Sequence, residues 1–195
     1  MKVLNLYAGI GGNRKLWTDV TVTAVELNPE IAAIYQDLFP DDKVIVADAH
    51  AYLLNHYKEF DFIWSSPPCP SHSRARFWGY HNSRPIYPDL TLYQEILLLQ
   101  THCKARWVVE NVKPYYQPLI PAVSVGRHLF WANFNIGTFE HESSDIRKLS
   151  GTSAKDKLER NQTDPEIGLY ILNCARNIIT KSNIQQIDFF EQQKI

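Results

Sequence analysis

At 195 residues, 45% hydrophobic and 21% charged, the chain is long enough to bury one core and short for two domains of ordinary size. Its formal net charge of −1 excludes a protein that holds nucleic acid by overall positive field, so any such attraction must be local. No apolar run approaches the ~20 residues of a membrane span, and three widely spaced cysteines, Cys69, Cys103 and Cys174, suit neither a disulfide framework nor a zinc site.

Met1-Lys2 leads straight into a strand-like run with no secretory pattern. The expectation is a cytoplasmic protein without membrane association or metal, in a prokaryotic or virus-infected cell. Strands are predicted at Val3 to Tyr7, Val20 to Val25, Lys43 to Ala47, Phe60 to Ser65 and Arg106 to Glu110. Helices are predicted over Pro29 to Phe39, with Asn28 as N-cap and Pro29 in the first turn, over Leu90 to Cys103, and over Pro165 to Ile179. The tail from Ser182 to Ile195 is a weaker helical candidate. Strand-helix alternation implies an α/β fold, a Rossmann-like, doubly wound, mostly parallel sheet whose ligands lie beyond the carboxyl ends of its strands.

Five candidate features fall at those ends. Ala8-Gly9-Ile10-Gly11-Gly12 follows the first strand, where glycines let the backbone approach a ligand and a helix is expected to begin. Glu26 ends the second strand and Asp48 the third, placed to meet ribose hydroxyls and an adenine amino group. Ser66-Pro67-Pro68-Cys69 follows the fourth strand and presents a thiol at a proline-restricted loop start. Glu110-Asn111-Val112 ends the fifth, where a carboxyl group needs a partner; protonated, it could donate to ring nitrogen 3 of cytosine while Asn111 ties down the thiol loop.

The irregular run from Pro70 to Pro88 is longer than structureless loops in compact domains usually are. It carries His72, Arg74, Arg76, His81 and Arg84 with Phe77, Trp78, Tyr80 and Tyr87 and no acidic residue. Basic and aromatic side chains interleaved in this way suit phosphates and unstacked bases. Ser71, His72, Ser73, Arg74, Arg76, Trp78 and Arg84 are its candidate nucleic-acid contacts.

With these motifs in this order, the chain resembles the DNA cytosine-5 methyltransferases over roughly its first two thirds. The resemblance implies a class I methyltransferase sheet and S-adenosyl-L-methionine held by Tyr7, Ala8, Gly9, Ile10, Gly11, Gly12, Glu26, Leu27, Asp48, Ala49, Pro68 and Asn161. It implies Cys69 as nucleophile toward carbon 6 of a flipped cytosine, with Glu110 stabilising the charge at nitrogen 3. Asn111, Arg127 and His128 complete the catalytic set, and Arg74, Arg76 and Arg127 are candidates to activate the thiol.

Two departures from the family bear on target choice. Gly126 and His128 occupy the places of two arginines in the eighth motif, and the arginine is shifted to Arg127. Only about residues 141–160 remain for target recognition, within a single catalytic domain spanning 1–195 whose segment 161–179 closes the cofactor pocket. Duplex or single-stranded DNA read in a short or relaxed context is the expected substrate, with a role in restriction-modification. A partner subunit could supply recognition, and the expected assembly is a monomer or weak dimer. Three alternatives stay open: the same chemistry on transfer RNA, a non-catalytic S-adenosylmethionine-binding subunit, and a nicotinamide-dependent oxidoreductase.

Overall fold

The computed structural model describes residues 1–77, 84–137, 139 and 162–178. Seven strands in this region make one sheet in the order β3-β2-β1-β4-β5-β7-β6. In chain order they are β1 (Lys2–Leu6), β2 (Thr21–Glu26), β3 (Lys43–Val46), β4 (Phe62–Ser65), β5 (Arg106–Val112), β6 (Val123–Val125) and β7 (His128–Ala132). The first five run parallel; β7 pairs antiparallel with both β5 and β6. This is a mostly parallel α/β sheet, with crossovers switching direction between β1 and β4.

Helices α1 (Pro29–Leu38), α2 (Ala49–His56), α3 (Thr91–His102) and α4 (Pro165–Ala175) cover the sheet. Each strand alternates inward side chains with period two. Leu4, Leu6, Ile63 and Val109 therefore share one face with Leu53 of α2 and Leu92, Ile96 and Leu99 of α3. Val3, Phe62, Trp64 and Val108 share the other with Ile167, Ile171 and Leu172 of α4. Tyr35 of α1 packs on Ala24, which has the same parity along β2 as Val22 of that second face.

The caps follow from local chemistry. Asn28 accepts from the amides of Glu30 and Ile31, and Pro29 fills a first-turn place where no amide hydrogen is needed. Asp164 and Pro165 repeat the device for α4. Expected α1, α3 and α4 are found within a few residues. No helix among the described residues is long and apolar enough to cross a membrane.

Three expectations are corrected. The glycine turn does not open a helix: Gly11, Arg14 and Trp17 amides donate to Ala8, Gly11 and Arg14 carbonyls in successive turns. Tertiary anchors hold it in that form, with Asn13 paired to Asn5 at 2.9 Å, Arg14 to Asp42 at 2.9 Å and Trp17 Nε1 to the Gly168 carbonyl at 3.0 Å. Helix α2 was not foreseen, although Asp48 caps it through Ala51 N at 2.8 Å. The run after Pro70 is not wholly irregular, since Arg74–Phe77 forms a short 3-10 helix. The segment 141–160, Trp78, Asn161 and the tail helix lie outside the described residues.

Candidate active site

The carboxyl ends of β1, β2, β4 and β5 carry the predicted site residues to one edge. Beyond β1, Tyr7 and Gly9 both adopt φ of +55°. Glycine meets that conformation without a side-chain penalty, whereas tyrosine must be held there. A β-carbon added to Gly9 would meet nothing within 4 Å, so the backbone borders open space. At Gly12 the opposite holds: a β-carbon would come within 2.8 Å of the Thr163 carbonyl oxygen, so the turn and the segment before α4 pack backbone to backbone.

Glu26 fastens this turn. Its Oε2 accepts from Gly9 N at 3.0 Å and its Oε1 from Asn28 N at 2.9 Å. Each oxygen keeps a further lone pair, so the carboxylate can hold the turn and still accept from a ligand hydroxyl. Leu27 beside it is 65% exposed, whereas Ala49 is buried. Asp48 has one oxygen on the α2 cap and is otherwise exposed.

A cleft of about 130 Å³ runs from Tyr7, Gly9 and Ile10 across to Ser66, Glu110 and Thr163. Its size is below that of a complete small-ligand pocket, ~300 Å³ or more. The residues fit a ligand that brings hydroxyl donors to the sheet edge, such as the ribose of an adenosylated cofactor. The open space at Gly9 and the spare acceptors of Glu26 are the observations that carry that fit.

Cys69 is half-buried on the turn after β4, where its carbonyl accepts from His72 N at 2.9 Å and Ser73 N at 3.0 Å. Burial pushes its thiol above the ordinary cysteine range, and the Glu110 charge pushes it further; Arg127 pulls it back. The turn's own backbone hydrogen bond pulls it back more than Arg127 does, the net shift is upward, and Arg127 is the one of the three expected arginines whose charge favours the thiolate. Arg74 donates to the Pro114 carbonyl at 3.0 Å, and Arg76 to those of Arg84 at 2.9 Å and Pro70 at 3.5 Å.

Glu110 and Asn111 reach the thiol turn from β5. Asn111 Nδ2 donates to the Pro67 carbonyl at 2.9 Å, and Asn111 is 2% exposed. Glu110 Oε2 accepts from Ser66 Oγ at 2.7 Å and Thr163 Oγ1 at 3.1 Å. From β7, His128 Nε2 stands 3.6 Å from Glu110 Oε1. Burial lowers the His128 pKa, more than the adjacent Glu110 charge restores it, so its imidazole is neutral near pH 7. Arg127 Nη2 donates to the Gln162 carbonyl at 3.1 Å.

The basic loop divides in two. Ser71 and His72, two of the expected nucleic-acid contacts, are buried and bonded within the protein. Ser71 Oγ accepts from Asp89 N at 3.0 Å, and His72, 1% exposed, meets the Tyr116 hydroxyl at 2.6 Å. The reason is the return of the chain onto the extension of β5, where Ser73 bridges Pro114 and Tyr115 N donates to the His72 carbonyl. Ser73 is half-buried and caps Ala75 N. Arg74, Arg84 and Phe77 remain exposed, and Phe77 lies edge-on to Tyr115 at 5.2 Å.

Glu95 escaped the sequence reading. It is fully buried on α3, where Oε1 accepts from the Tyr7 hydroxyl at 2.6 Å and meets His50 Nδ1 at 3.0 Å, and Oε2 accepts from Ser65 Oγ at 2.5 Å. It thus ties the glycine turn to the thiol turn from beneath. A carboxylate in the apolar stripe of Leu92, Ile96 and Leu99 was the available signal. Ser66 and Thr163 also went unpredicted.

Comparison with known proteins places residues 1–116, more than half of the chain, under the model of the C-5 cytosine-specific DNA methylase family. No curated protein matches significantly in sequence. Among solved structures, a hypothetical protein of Thermus thermophilus is 17% identical, with TM-score 0.46 over 67% of this chain and 73% of that one. A mutant of Spodoptera frugiperda DNMT2 is 26% identical, with TM-score 0.40 over 57% of this chain and 35% of that one. A SAM-dependent methyltransferase of Agrobacterium tumefaciens is 17% identical, with TM-score 0.40 over 60% and 40% respectively.

Proposed function

The chain belongs to the C-5 cytosine-specific DNA methylase family, and on that premise we propose that it transfers a methyl group from S-adenosyl-L-methionine to carbon 5 of cytosine in DNA. The observation that carries this reading is the pair of ties between adjacent strand ends. Asn111 bonds Pro67 and Glu110 bonds Ser66, so the carboxyl group and the thiol turn share one edge with the cofactor cleft. S-adenosylmethionine supplies an electrophilic methyl group when bound, and Tyr7 to Gly12, Glu26, Leu27, Asp48, Ala49, Pro68 and Asn161 are the residues that would hold it.

The chain's own groups perform the rest. Cys69 adds as thiolate to carbon 6, and protonation of nitrogen 3 from Glu110 makes carbon 5 nucleophilic. Arg127 lowers the cost of the thiolate, Asn111 fixes the turn that carries it, and His128 backs Glu110. A base stacked in a duplex cannot reach a half-buried thiol, so the target nucleotide is flipped or single-stranded. Ser73, Arg74, Arg76, Trp78 and Arg84 belong to the loop that meets the phosphates.

The whole chain acts as one catalytic domain. Residues 141–160 form a reduced recognition segment and 161–179 the part that closes the cofactor pocket. Specific modules bury ~600–1,000 Å² even when small, so recognition is short or comes from a partner subunit. The test is to incubate the protein with labelled S-adenosylmethionine and duplex DNA, single-stranded DNA or transfer RNA, then identify the modified nucleoside by mass spectrometry. The expected product is 5-methylcytosine in DNA. Transfer to RNA alone, or DNA binding without methylation, overturns the reading.

A further inference from the structure

The two oxygens of Glu110 have different surroundings. Oε2 accepts hydroxyl hydrogens from Ser66 at 2.7 Å and Thr163 at 3.1 Å. Oε1 faces only His128 Nε2 among the described residues, at 3.6 Å, beyond hydrogen-bond reach. The sense of the Ser66 bond is fixed from behind. Trp64 Nε1, which can only donate, gives its hydrogen to Ser66 Oγ at 2.8 Å, so the single hydroxyl hydrogen of Ser66 points to Glu110. Trp64 is fully buried and Thr163 is 8% exposed, so neither donor is exchanged freely for water.

We infer that Ser66 and Thr163 are positioning residues that saturate Oε2 and leave Oε1 as the oxygen that carries the Glu110 proton and delivers it to nitrogen 3 of the target cytosine. The inference rests on the proposed role of Glu110 as proton donor to the base. As the Cys69 Sγ–carbon 6 bond forms, the electron pair of the carbon 5–carbon 6 double bond is displaced into the ring. Nitrogen 3 takes the proton from Oε1, and the electrons of that O–H bond stay on the carboxylate. The ring then becomes a neutral enamine, and the new negative charge falls on a group that already accepts two hydroxyl hydrogens.

Donors placed in advance on a group that becomes an anion make it a stronger acid and need no reorganisation during the step. Thr163 lies 53 residues beyond Glu110, so the segment leading into α4 contributes to acid strength as well as to enclosure. Its backbone can reach the site because residue 12 is glycine.

The experiment measures single-turnover methyl transfer to cytosine-containing DNA for wild type, Thr163→Val, Thr163→Ser and Ser66→Ala, with S-adenosylhomocysteine affinity and thermal unfolding measured on each. Thr163→Val keeps the shape and loses the donor. It is expected to slow transfer at saturating cofactor by about tenfold, less than the ~100-fold or more that a donor aimed directly at a reacting oxyanion supplies, over and above any change in cofactor affinity, since Thr163 also lines the cleft. Thr163→Ser is expected to recover the rate, and Ser66→Ala to slow it similarly. A Thr163→Val rate equal to wild type, a Thr163→Ser enzyme as slow as Thr163→Val, or a deficit lying wholly in cofactor affinity overturns the inference. A folded wild type that binds cofactor yet never methylates cytosine removes the proposed function beneath it, and the inference with it.

Discussion

Asn111 Nδ2 lies 2.9 Å from the Pro67 carbonyl oxygen, and this bond fastens the end of β5 to the proline turn that holds Cys69. Proline supplies no amide hydrogen of its own, so the turn depends on such outside donors for its fixity. Asn111→Ala leaves a buried carbonyl unpaired, which costs ~1–3 kcal/mol. A fall of that size in urea-unfolding free energy, together with slower transfer, is the expected result. Unchanged transfer would mean that the turn holds Cys69 without Asn111.

Removing the thiol should separate chemistry from binding. Cys69→Ala is expected to lower methyl transfer at least about a thousandfold, as loss of a nucleophile does. S-adenosylhomocysteine affinity, read by calorimetry, should stay near that of wild type.

The Arg127 charge should show in the pH profile. Burial and the Glu110 charge raise the Cys69 thiol while Arg127 lowers it, so alkylation of Cys69 in the free protein by iodoacetamide is expected to quicken with pH through and above the ordinary cysteine range near pH 9. Arg127→Gln removes the lowering influence and raises the thiol further. Its deficit is therefore largest at pH 7 and shrinks toward pH 10. A deficit constant across pH would assign Arg127 to another role.

Glu95 should be costly to lose. Glu95→Ala strips partners from Tyr7, Ser65 and His50 around a carboxyl group that is itself fully buried. The expected destabilisation is ~1–3 kcal/mol for each hydroxyl group left without its acceptor. Tyr7→Phe removes one bond, ~1 kcal/mol, and frees the turn at Gly9. Its expected signature is weaker S-adenosylhomocysteine binding with a nearly unchanged melting temperature.

Acid should weaken the fold through two buried imidazoles. Burial lowers the pKa values of His72 and His128 below the ordinary 6.5. Their unfolded forms take up protons first as pH falls, so stability is full above about pH 6.5 and declines below it. Urea titrations at pH 7.5 and 5.5 should show this loss. Replacing His72 with glutamine should flatten the dependence.

Much of the fold was legible because it is written in short-range pattern. Short β-branched or apolar runs mark β1, β2, β4 and β5, and Asn28-Pro29 marks the start of α1. Helix α2 was hidden because it is eight residues long and its sequence, AHAYLLNH, has only Ala49 and Leu53 buried. The expected helix after the glycine turn failed because Asn13, Arg14 and Trp17 are claimed by Asn5, Asp42 and Gly168. Tertiary bonds there outweigh a local habit. Ser71 and His72 looked like loop surface because composition does not say which side of a loop turns inward.

Local sequence was enough to put Cys69 after one strand and Glu110 at the end of another, with a glycine turn and Glu26 ahead of them, because strand ends and turns are set by neighbouring residues. Which atoms meet there was decided by the sheet. Ser65 pairs with Val109 across β4 and β5, and that register brings Ser66 to Glu110 and Pro67 to Asn111. Thr163 arrives from a helix start far along the chain, and Glu95 from beneath on α3. Bonds of 2.5–3.1 Å between residues 30 to 53 positions apart leave no trace in any local period, since they depend on how whole strands and helices pack.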